Sequence, residues 1–235
     1  MNPTDSSSAR LLPRLLVLTD RTMLPAGRDL ISALRAAVDG GARAVVLRER
    51  DLPTPCRARL ADQVQALLSP VGGILFLASA APPGVTSSLA GLHLRSTDPV
   101  PATRPALLGL STHSAEQVLH AAAAGCDYVT LSPVAPTHSK PGYGPSLGAG
   151  GFGSVLAQAG RVRGPLPAVF ALGGVDEHNA AEFLDAGAHG VAVMGSVMRS
   201  PDPGQTVAAL LASVRAADAH LRHKPILHHN TRRTS

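Results

Sequence analysis

Three segments of the chain repeat one pattern, and this repeat constrains the fold more than any other feature of the sequence. In each segment an alanine-rich stretch ends at a glycine, and an apolar run begins shortly afterwards. The glycines are Gly41, Gly125 and Gly187. A glycine just after a helix supplies the left-handed residue that a short helix-to-strand connection needs. The repeat therefore predicts stacked strand–helix units and a parallel sheet.

Short runs of Val, Leu and Ala recur along the whole chain, bounded by turn residues. Because the runs are continuously apolar rather than alternating, we expect both faces of each strand to be covered, as in parallel sheets. Eight runs fit this description: Leu15–Thr19, Ala44–Arg48, Ile74–Ala78, Gly91–Leu94, Ala106–Leu110, Asp127–Leu131, Ala168–Leu172 and Gly190–Met194. Eight such strands alternating with helices predict a single (β/α)₈ barrel, the TIM barrel fold.

A flavodoxin-like open sheet is the alternative fold, and it would leave two of the eight predicted strands unexplained. The barrel pattern is weakest in the region Pro82–Pro105. The strands of this region lie too close together for a full helix in each gap. We therefore expect one crossover there to be short or irregular.

The length of 235 residues, 45% of them hydrophobic, suits one barrel domain with a substantial core. Aromatic residues make up only 3%, so we expect Leu, Val and Ala to fill the core. We predict a disordered N-terminal tail over residues 1–13, the barrel over residues 14–216 and a basic C-terminal tail over residues 217–235.

The formal net charge of +5 is concentrated at the chain ends, and the basic residues are not interleaved with aromatic ones. The sequence thus offers no stacking platform for nucleic acid. No apolar run in the sequence approaches a membrane span. Cys56 and Cys126 lie far apart without redox or metal spacing, which suits a reducing compartment. We expect a cytoplasmic protein that binds neither nucleic acid nor membranes, and leave homo-oligomer formation open.

Ligands of a parallel barrel bind at the C-terminal ends of the strands. Gly173-Gly174 follows the seventh predicted strand, and Gly195-Ser196 follows the eighth. Glycine lets main-chain amides approach a phosphate, and a following helix adds partial positive charge. Loops after these two strands are the recurrent phosphate site of TIM barrels. We predict a phosphate site here rather than two simple tight turns.

The segment after the second strand reads Arg48-Glu49-Arg50-Asp51. Alternation along an extended segment would point Arg48 and Arg50 to the same side. Guanidinium groups match phosphate oxygens, so the two arginines could clamp a second anion. The alternative is a surface ion-pair cluster with Glu49 and Asp51.

The remaining candidates follow the fifth and sixth strands. Ser111 and His113 follow the fifth strand, whereas His93 lies within a strand and is predicted to be structural. The long loop 132–148 is rich in proline and glycine, which is typical of a functional loop. It offers donors for a diphosphate and one candidate proton carrier besides His113: Thr137, Ser139 and Lys140 as donors, and His138 as proton carrier.

Five motifs occur in the order in which they occur in thiamine phosphate synthases. From about Leu15 to Leu211 the chain resembles the thiamine phosphate synthase/TenI superfamily, and the motifs together are specific to it. The motifs are Leu47–Asp51, Gly109–Ser114, Ser132–Gly142, Ala171–Val175 and Val191–Ser196.

The resemblance implies a barrel enzyme of thiamine biosynthesis that joins a hydroxymethylpyrimidine diphosphate to a thiazole phosphate and releases pyrophosphate with the help of Mg²⁺. It implies that the thiazole phosphate is held by Gly173, Gly174, Met194, Gly195 and Ser196. It implies that the leaving diphosphate is held and stabilised by Arg48, Arg50, Ser111, Thr137, Ser139 and Lys140.

The sequence departs from the family pattern where Mg²⁺ would bind. The usual Gln two residues before the first arginine is Val46, and the usual Asn-Asp pair closing the third strand is Ala78-Ser79. Asp98 remains as the candidate second metal carboxylate. Because Mg²⁺ needs carboxylates beside substrate phosphates, losing one ligand should weaken the metal site.

The TenI branch of the superfamily also lacks these metal ligands, and it rearranges a thiazole phosphate tautomer. The histidine that this branch carries after the sixth strand corresponds here to Pro133, so His138 or His113 would have to carry the proton. Three hypotheses follow: a synthase-like transferase, which we favour, a TenI-like tautomerase, and a noncatalytic phosphate-binding barrel.

Overall fold

The structure, a computed structural model, describes residues 12–79, 91–136, 145–162 and 164–223. Eight parallel strands pair in chain order, and the last closes on the first. They are β1 Leu15–Leu18, β2 Ala44–Leu47, β3 Ile74–Ala78, β4 Gly91–Leu94, β5 Leu108–Thr112, β6 Tyr128–Leu131, β7 Ala168–Leu172 and β8 Gly190–Val193. The predicted TIM barrel is confirmed, and the open-sheet alternative is wrong.

Helices cover the outside of the barrel. They are α1 Leu30–Asp39, α2 Thr54–Leu68, α3 Ala115–Ala123, α4 Gly148–Ala159, α5 Ala180–Asp185, α6 Gly195–Met198 and α7 Pro203–His223, with 3₁₀ turns at Arg21–Met23 and Ser69–Val71. Gly41, Gly125 and Gly187 have φ values of 112°, 71° and 101°, which confirms their predicted left-handed conformation after helices. Between β4 and β5, the described residues 95–107 contain no helix, so this crossover is irregular as predicted.

The fifth strand spans Leu108–Thr112, not the predicted Ala106–Leu110. The prediction ended the strand at its last apolar residue. In the structure the two following hydroxyls have partners: Ser111 Oγ lies 3.0 Å from His93 Nε2, and Thr112 Oγ1 donates to the Thr130 carbonyl at 3.1 Å. Satisfied polar side chains are tolerated inside a barrel strand. Ser111 therefore lies within the barrel mouth rather than in a loop.

Two layers of side chains form the core. Aliphatic residues predominate in both layers, as predicted, and the barrel interior also holds three aromatic rings. Tyr128 packs edge-to-face against Phe76 and Phe170, with ring centroids 4.9 and 5.7 Å apart. Glycines on adjacent strands make room, because a Cβ at Gly91 would lie 2.3 Å from Phe76 and one at Gly109 would lie 2.1 Å from Tyr128.

The packed structure extends past both predicted domain boundaries. Leu12 is buried in the barrel interior, and α7 continues beyond residue 216 because Ala217 is buried and Asp218 pairs with Arg14. The remainder of the two predicted tails, residues 1–11 and 224–235, lies outside the described residues. Within the described part of the chain, no helix is long and apolar enough to cross a membrane.

Candidate active site

A cavity of about 590 Å³ lies at the C-terminal ends of the strands. Its volume is within the range of about 300–1,000 Å³ that is usual for small-molecule sites. The predicted site residues that line it are Arg48, Arg50, Ser111, His113, Gly173, Gly174, Met194, Gly195 and Ser196. Of the predicted residues that the structure describes, all except Asp98 are thus brought together, while their individual roles stay predictions.

The segment after β2 sorts its charged side chains onto two sides. The Arg21 guanidinium lies 2.9 Å from Glu49 Oε2 and 2.5 Å from Asp51 Oδ2. Arg48 and Arg50 line the cavity instead, and neither forms an ion pair with another described residue. The alternative interpretation, an ion-pair cluster joining these two arginines to the neighbouring carboxylates, is therefore wrong.

The two cavity arginines differ in how firmly they are held. The Arg48 main-chain N–H donates to Thr19 Oγ1 at 2.9 Å, and its guanidinium contacts the Met194 sulfur across the barrel mouth. Arg50 is exposed on one side and makes no hydrogen bond to another described residue. Partial desolvation, followed by repulsion from Arg48 and Arg95, lowers the pKa of Arg50. A bound anion would relieve this uncompensated positive charge.

A glycine turn after β7 contributes to the opposite wall of the cavity. Gly173 and Gly174 have φ values of 98° and 71°, in the left-handed region that favours glycine. At Gly174 a Cβ would lie 2.4 Å from the Pro136 carbonyl oxygen and 2.7 Å from that of Ala135. The turn and the loop after β6 therefore approach each other too closely for a side chain.

A second turn follows β8, where α6 begins at Gly195 directly after Met194. The first amides of a helix have no acceptor within the helix, so those of Gly195 and Ser196 are donors that a ligand can satisfy. Ser196 Oγ is buried and has no hydrogen-bond partner among the described residues. The exposed Arg199 folds its guanidinium over Gly195, where a Cβ would lie 2.3 Å from Nη2.

His93 belongs to the cavity, although the sequence predicted only a structural role. It is 2% exposed and lines the cavity floor. Its Nδ1 lies 3.0 Å from Tyr128 Oη, and its Nε2 lies 3.0 Å from Ser111 Oγ. Burial, and then repulsion from Arg50 and Arg48, lowers the pKa of His93 to about 3, so the ring is neutral near pH 7. The histidine thereby orients the Ser111 hydroxyl.

One signal in the sequence could have indicated this role. His93 alternates with Leu92 and Leu94, which face the helices, so the strand period places it inside the barrel. Ser111 lies on the next strand. Pairing the two required the true bounds of β5, which the apolar pattern did not give.

His113 follows β5 and lines the cavity. Its Nδ1 lies 2.8 Å from the Ser132 carbonyl oxygen. Because a carbonyl only accepts, Nδ1 carries a proton in this contact. The contact holds the His113 ring at the cavity wall, and its role as a proton carrier stays a prediction.

Four predicted site residues lie outside the described residues, and their roles stay predictions: Thr137, His138, Ser139 and Lys140. The described flanks of this loop reach the site. Pro133 and Pro136 line the cavity, and the Leu147 N–H donates to the Pro133 carbonyl at 3.0 Å. Both flanks are therefore held at the cavity rim.

Asp98, the predicted metal ligand, does not line the cavity, and both of its oxygens accept hydrogen bonds. Oδ1 accepts from the Arg95 guanidinium at 2.8 Å. Oδ2 accepts from the Arg95 main-chain N–H at 2.9 Å and from the Ser79 hydroxyl at 3.1 Å. The Arg95 guanidinium is the main reason that the pKa of Asp98 lies below its ordinary value.

The donor set at this end of the cavity does not fit a protein-held Mg²⁺ ion. The position expected to supply the other carboxylate is Ser79, and Asp98 is committed to Arg95. In the described ranges, no group of three or more His, Cys, Asp or Glu side chains is placed to hold a metal ion. Mg²⁺ usually binds through carboxylates together with substrate phosphates. Asp98 thus forms an ion pair with Arg95 in the structure, and its predicted metal role stays a prediction.

Comparisons with known proteins agree with the fold and the motifs. A family model described as thiamine monophosphate synthase matches residues 15–197. A protein of Geobacter sulfurreducens is 35% identical over 204 residues, which cover 84% of this chain and 92% of that protein. The thiamine-phosphate synthase of Roseiflexus castenholzii is 34% identical over 217 residues, which cover 89% of this chain and 90% of the relative.

A solved structure gives the same result. Thiamine phosphate pyrophosphorylase from Pyrococcus furiosus matches with a TM-score of 0.74 and 25% sequence identity, covering 87% of this chain and 96% of that chain. The predicted resemblance is confirmed: the chain belongs to the thiamine monophosphate synthase family.

Proposed function

We propose that this chain is a transferase of thiamine biosynthesis that joins a hydroxymethylpyrimidine diphosphate to a thiazole phosphate and releases pyrophosphate. One observation carries the proposal. A single cavity has arginine side chains on one wall and the main-chain donors of two glycine turns on the other. A reaction between two phosphorylated substrates requires two anion sites that face a shared space, and family membership favours these two substrates.

The two walls suit different parts of the reaction. The leaving diphosphate gains negative charge as its C–O bond breaks, so cations that are already in place stabilise the transition state more than the substrate. Arg48 and Arg50 are the candidates for this role. The thiazole phosphate keeps its charge throughout, and the turns at Gly174 and Ser196 would hold it in position. Ser111, oriented by His93, would donate to the diphosphate.

The test measures both products. Purified protein is incubated with the two substrates, and pyrophosphate and thiamine phosphate are quantified while each substrate is omitted in turn, with Mg²⁺ and with EDTA. We expect equal amounts of both products only when both substrates are present. The exposed Arg161 lies outside the cavity lining, so Arg161→Ala is a control expected to leave turnover unchanged. Binding of both substrates without product formation would contradict the transferase and support the noncatalytic barrel.

His113 favours a second candidate function, a TenI-like rearrangement of the thiazole phosphate tautomer. Its Nδ1–H is held by the Ser132 carbonyl, so Nε2 is the nitrogen that would exchange a proton with a ligand. Conversion of the tautomer in EDTA, lost in His113→Ala and kept in Arg161→Ala, would support this activity. Absence of conversion by the unmodified protein would exclude it. The small phosphorylated ligands are common to both candidates, and the cytoplasmic location stays a prediction.

A further inference from the structure

The family resemblance implies a metal ion beside the leaving diphosphate, but in this chain arginines contact the residues from which the protein ligands of that ion would come. Arg95 donates hydrogen bonds to both oxygens of Asp98. The side chain of Arg95 also lines the cavity. The carboxylate thus neutralises a protein cation and has no oxygen free of hydrogen bonds.

The end of β3 also lacks a carboxylate that could hold a metal ion. Ser79 supplies a hydroxyl in place of a carboxylate, and this hydroxyl donates to Asp98. The preceding carbonyl, that of Ala78, accepts a hydrogen bond from the buried Arg57 guanidinium. Arginine side chains therefore contact both places that would supply metal ligands, the end of β3 and Asp98.

The segment after β2 likewise presents arginines rather than carboxylates to the cavity. Arg21 takes both nearby carboxylates, Glu49 and Asp51, on the side away from the cavity. Arg48 and Arg50 are left facing the cavity without an ion pair among the described residues. An arginine pair without carboxylates carries the charge that a divalent ion would otherwise bring to a diphosphate.

We propose that this cavity binds the diphosphate group as its metal-free anion, with Arg48 and Arg50 supplying the charge that Mg²⁺ supplies elsewhere. The ligand class is a diphosphate monoester or free inorganic pyrophosphate. Mg²⁺ in solution competes with the arginines, because it lowers the negative charge of the ligand and occupies its oxygens. The choice of ligand rests on the proposed function, whereas the preference for the metal-free form rests on the contacts of Arg95, Arg21 and Asp98.

The direct test is calorimetric titration of the full chain with inorganic pyrophosphate, once in EDTA and once with Mg²⁺ in excess over pyrophosphate. We expect affinity in EDTA to equal or exceed that with Mg²⁺. Arg50→Ala should weaken binding in EDTA by roughly 10- to 100-fold, which corresponds to losing hydrogen bonds to a charged group. Because Arg50 is exposed and unbonded to other described residues, this variant should fold normally, which its thermal unfolding checks. Arg161→Ala, the matched surface arginine, should bind like the unmodified protein.

Binding that requires Mg²⁺, or that Arg50→Ala leaves unchanged, would overturn the inference. The product assay separates this failure from failure of the proposed function. Turnover only with Mg²⁺ would retain the transferase and overturn the arginine-built site. Metal-free pyrophosphate binding without turnover under any condition would retain the site and overturn the transferase. Turnover in EDTA at or above the rate with Mg²⁺ supports both.

Discussion

The two walls of the cavity would bind anions by different means. On the β7–β8 side, donors come from the main chain, and glycine conformation at Gly173 and Gly174 fixes their position. On the β2–β4 side, which we call the arginine wall, positive charge comes from the long side chains of Arg48 and Arg50. These side chains face the cavity with their charge because no carboxylate among the described residues pairs with them. The first wall depends on backbone geometry and the second on charge distribution. Substitutions on the two walls should therefore fail in different measurements.

The largest expected effect comes from the arginine wall. Arg48→Met keeps an unbranched side chain at this position, but it removes the guanidinium that contacts Met194 and would face the leaving group. We expect kcat to fall by about 100- to 1,000-fold, or about 3–4 kcal/mol, because the lost donor acts mainly in the transition state. The KM for the thiazole phosphate should stay within about twofold, since the proposed role of Arg48 is to stabilise the leaving group. Steady-state kinetics with each substrate varied in turn measures both quantities.

An increase in KM for the thiazole phosphate that matches the loss in kcat would contradict the division of labour between the walls. Arg48→Lys separates charge from geometry. Lysine keeps the charge but loses the planar fork, so partial recovery of kcat is expected.

On the glycine wall, Gly174→Ala should affect folding as well as binding. The new Cβ would meet main-chain oxygens of Ala135 and Pro136 while holding a left-handed φ. We expect the free energy of unfolding to fall by about 2–4 kcal/mol, the sum of about 1–2 for the conformation and about 1–2 for overlap. Urea unfolding measures this change, and thiazole phosphate titration measures the loss of affinity.

A matched glycine isolates the overlap. Gly72 has a φ of 63°, and a Cβ added there would meet nothing within 4 Å, so Gly72→Ala tests conformation alone. We expect it to cost about 1–2 kcal/mol and to leave ligand affinity unchanged. Equal destabilisation by the two variants would show that close approach at Gly174 does not matter.

This comparison also explains how much could be predicted from the sequence. The β7–β8 side, or glycine wall, could be predicted because a glycine indicates a left-handed backbone conformation directly, as at Gly173 and Gly174. The barrel could be predicted for a similar reason, since apolar runs and the glycines that follow helices are local patterns in the sequence. The arginine wall required a partner that no local pattern reveals, because Arg21 lies far along the chain from Glu49 and Asp51.

The role of His93 was missed for a related reason. The hydrogen bond to Ser111 depends on which β5 residues continue the ladder, and that register follows from tertiary contacts rather than from hydropathy. Asp98 illustrates the opposite case. Asp98 has a suitable residue type, but its oxygens are already taken by Arg95, a contact that a motif does not encode.

The buried His93 makes a prediction about acid stability. Its pKa falls from 6.5 to about 3 on folding, so the unfolded chain binds this proton first as the pH falls. The contribution of the neutral His93 ring to the free energy of unfolding is fully present above about pH 6.5. It is lost progressively as the pH falls to about 3. Between pH 7 and pH 5 the loss is about 2 kcal/mol, from about 1.4 kcal/mol per pH unit below 6.5.

His93→Gln preserves hydrogen bonding without a titrating ring. Urea unfolding of both proteins at pH 7 and pH 5 should show the unmodified protein losing about 2 kcal/mol more than the variant. His189, whose pKa burial also lowers, is present in both proteins and cancels in the comparison. If both proteins lost the same free energy of unfolding between pH 7 and pH 5, His93 would not be a buried neutral group.

The smallest expected effect is that of Arg199→Ala on the affinity for thiazole phosphate, and it tests the difference between the two walls most directly. Arg199 is the cation of the glycine wall, with its guanidinium over Gly195. It is exposed, so its interaction with a phosphate is weakened by water and salt. If main-chain donors hold the thiazole phosphate, Arg199→Ala should weaken that ligand only about twofold, or about 0.5 kcal/mol. Titration with thiazole phosphate at low and high salt measures this. A loss of tenfold or more would make this wall a second arginine site, and the contrast between the walls would disappear.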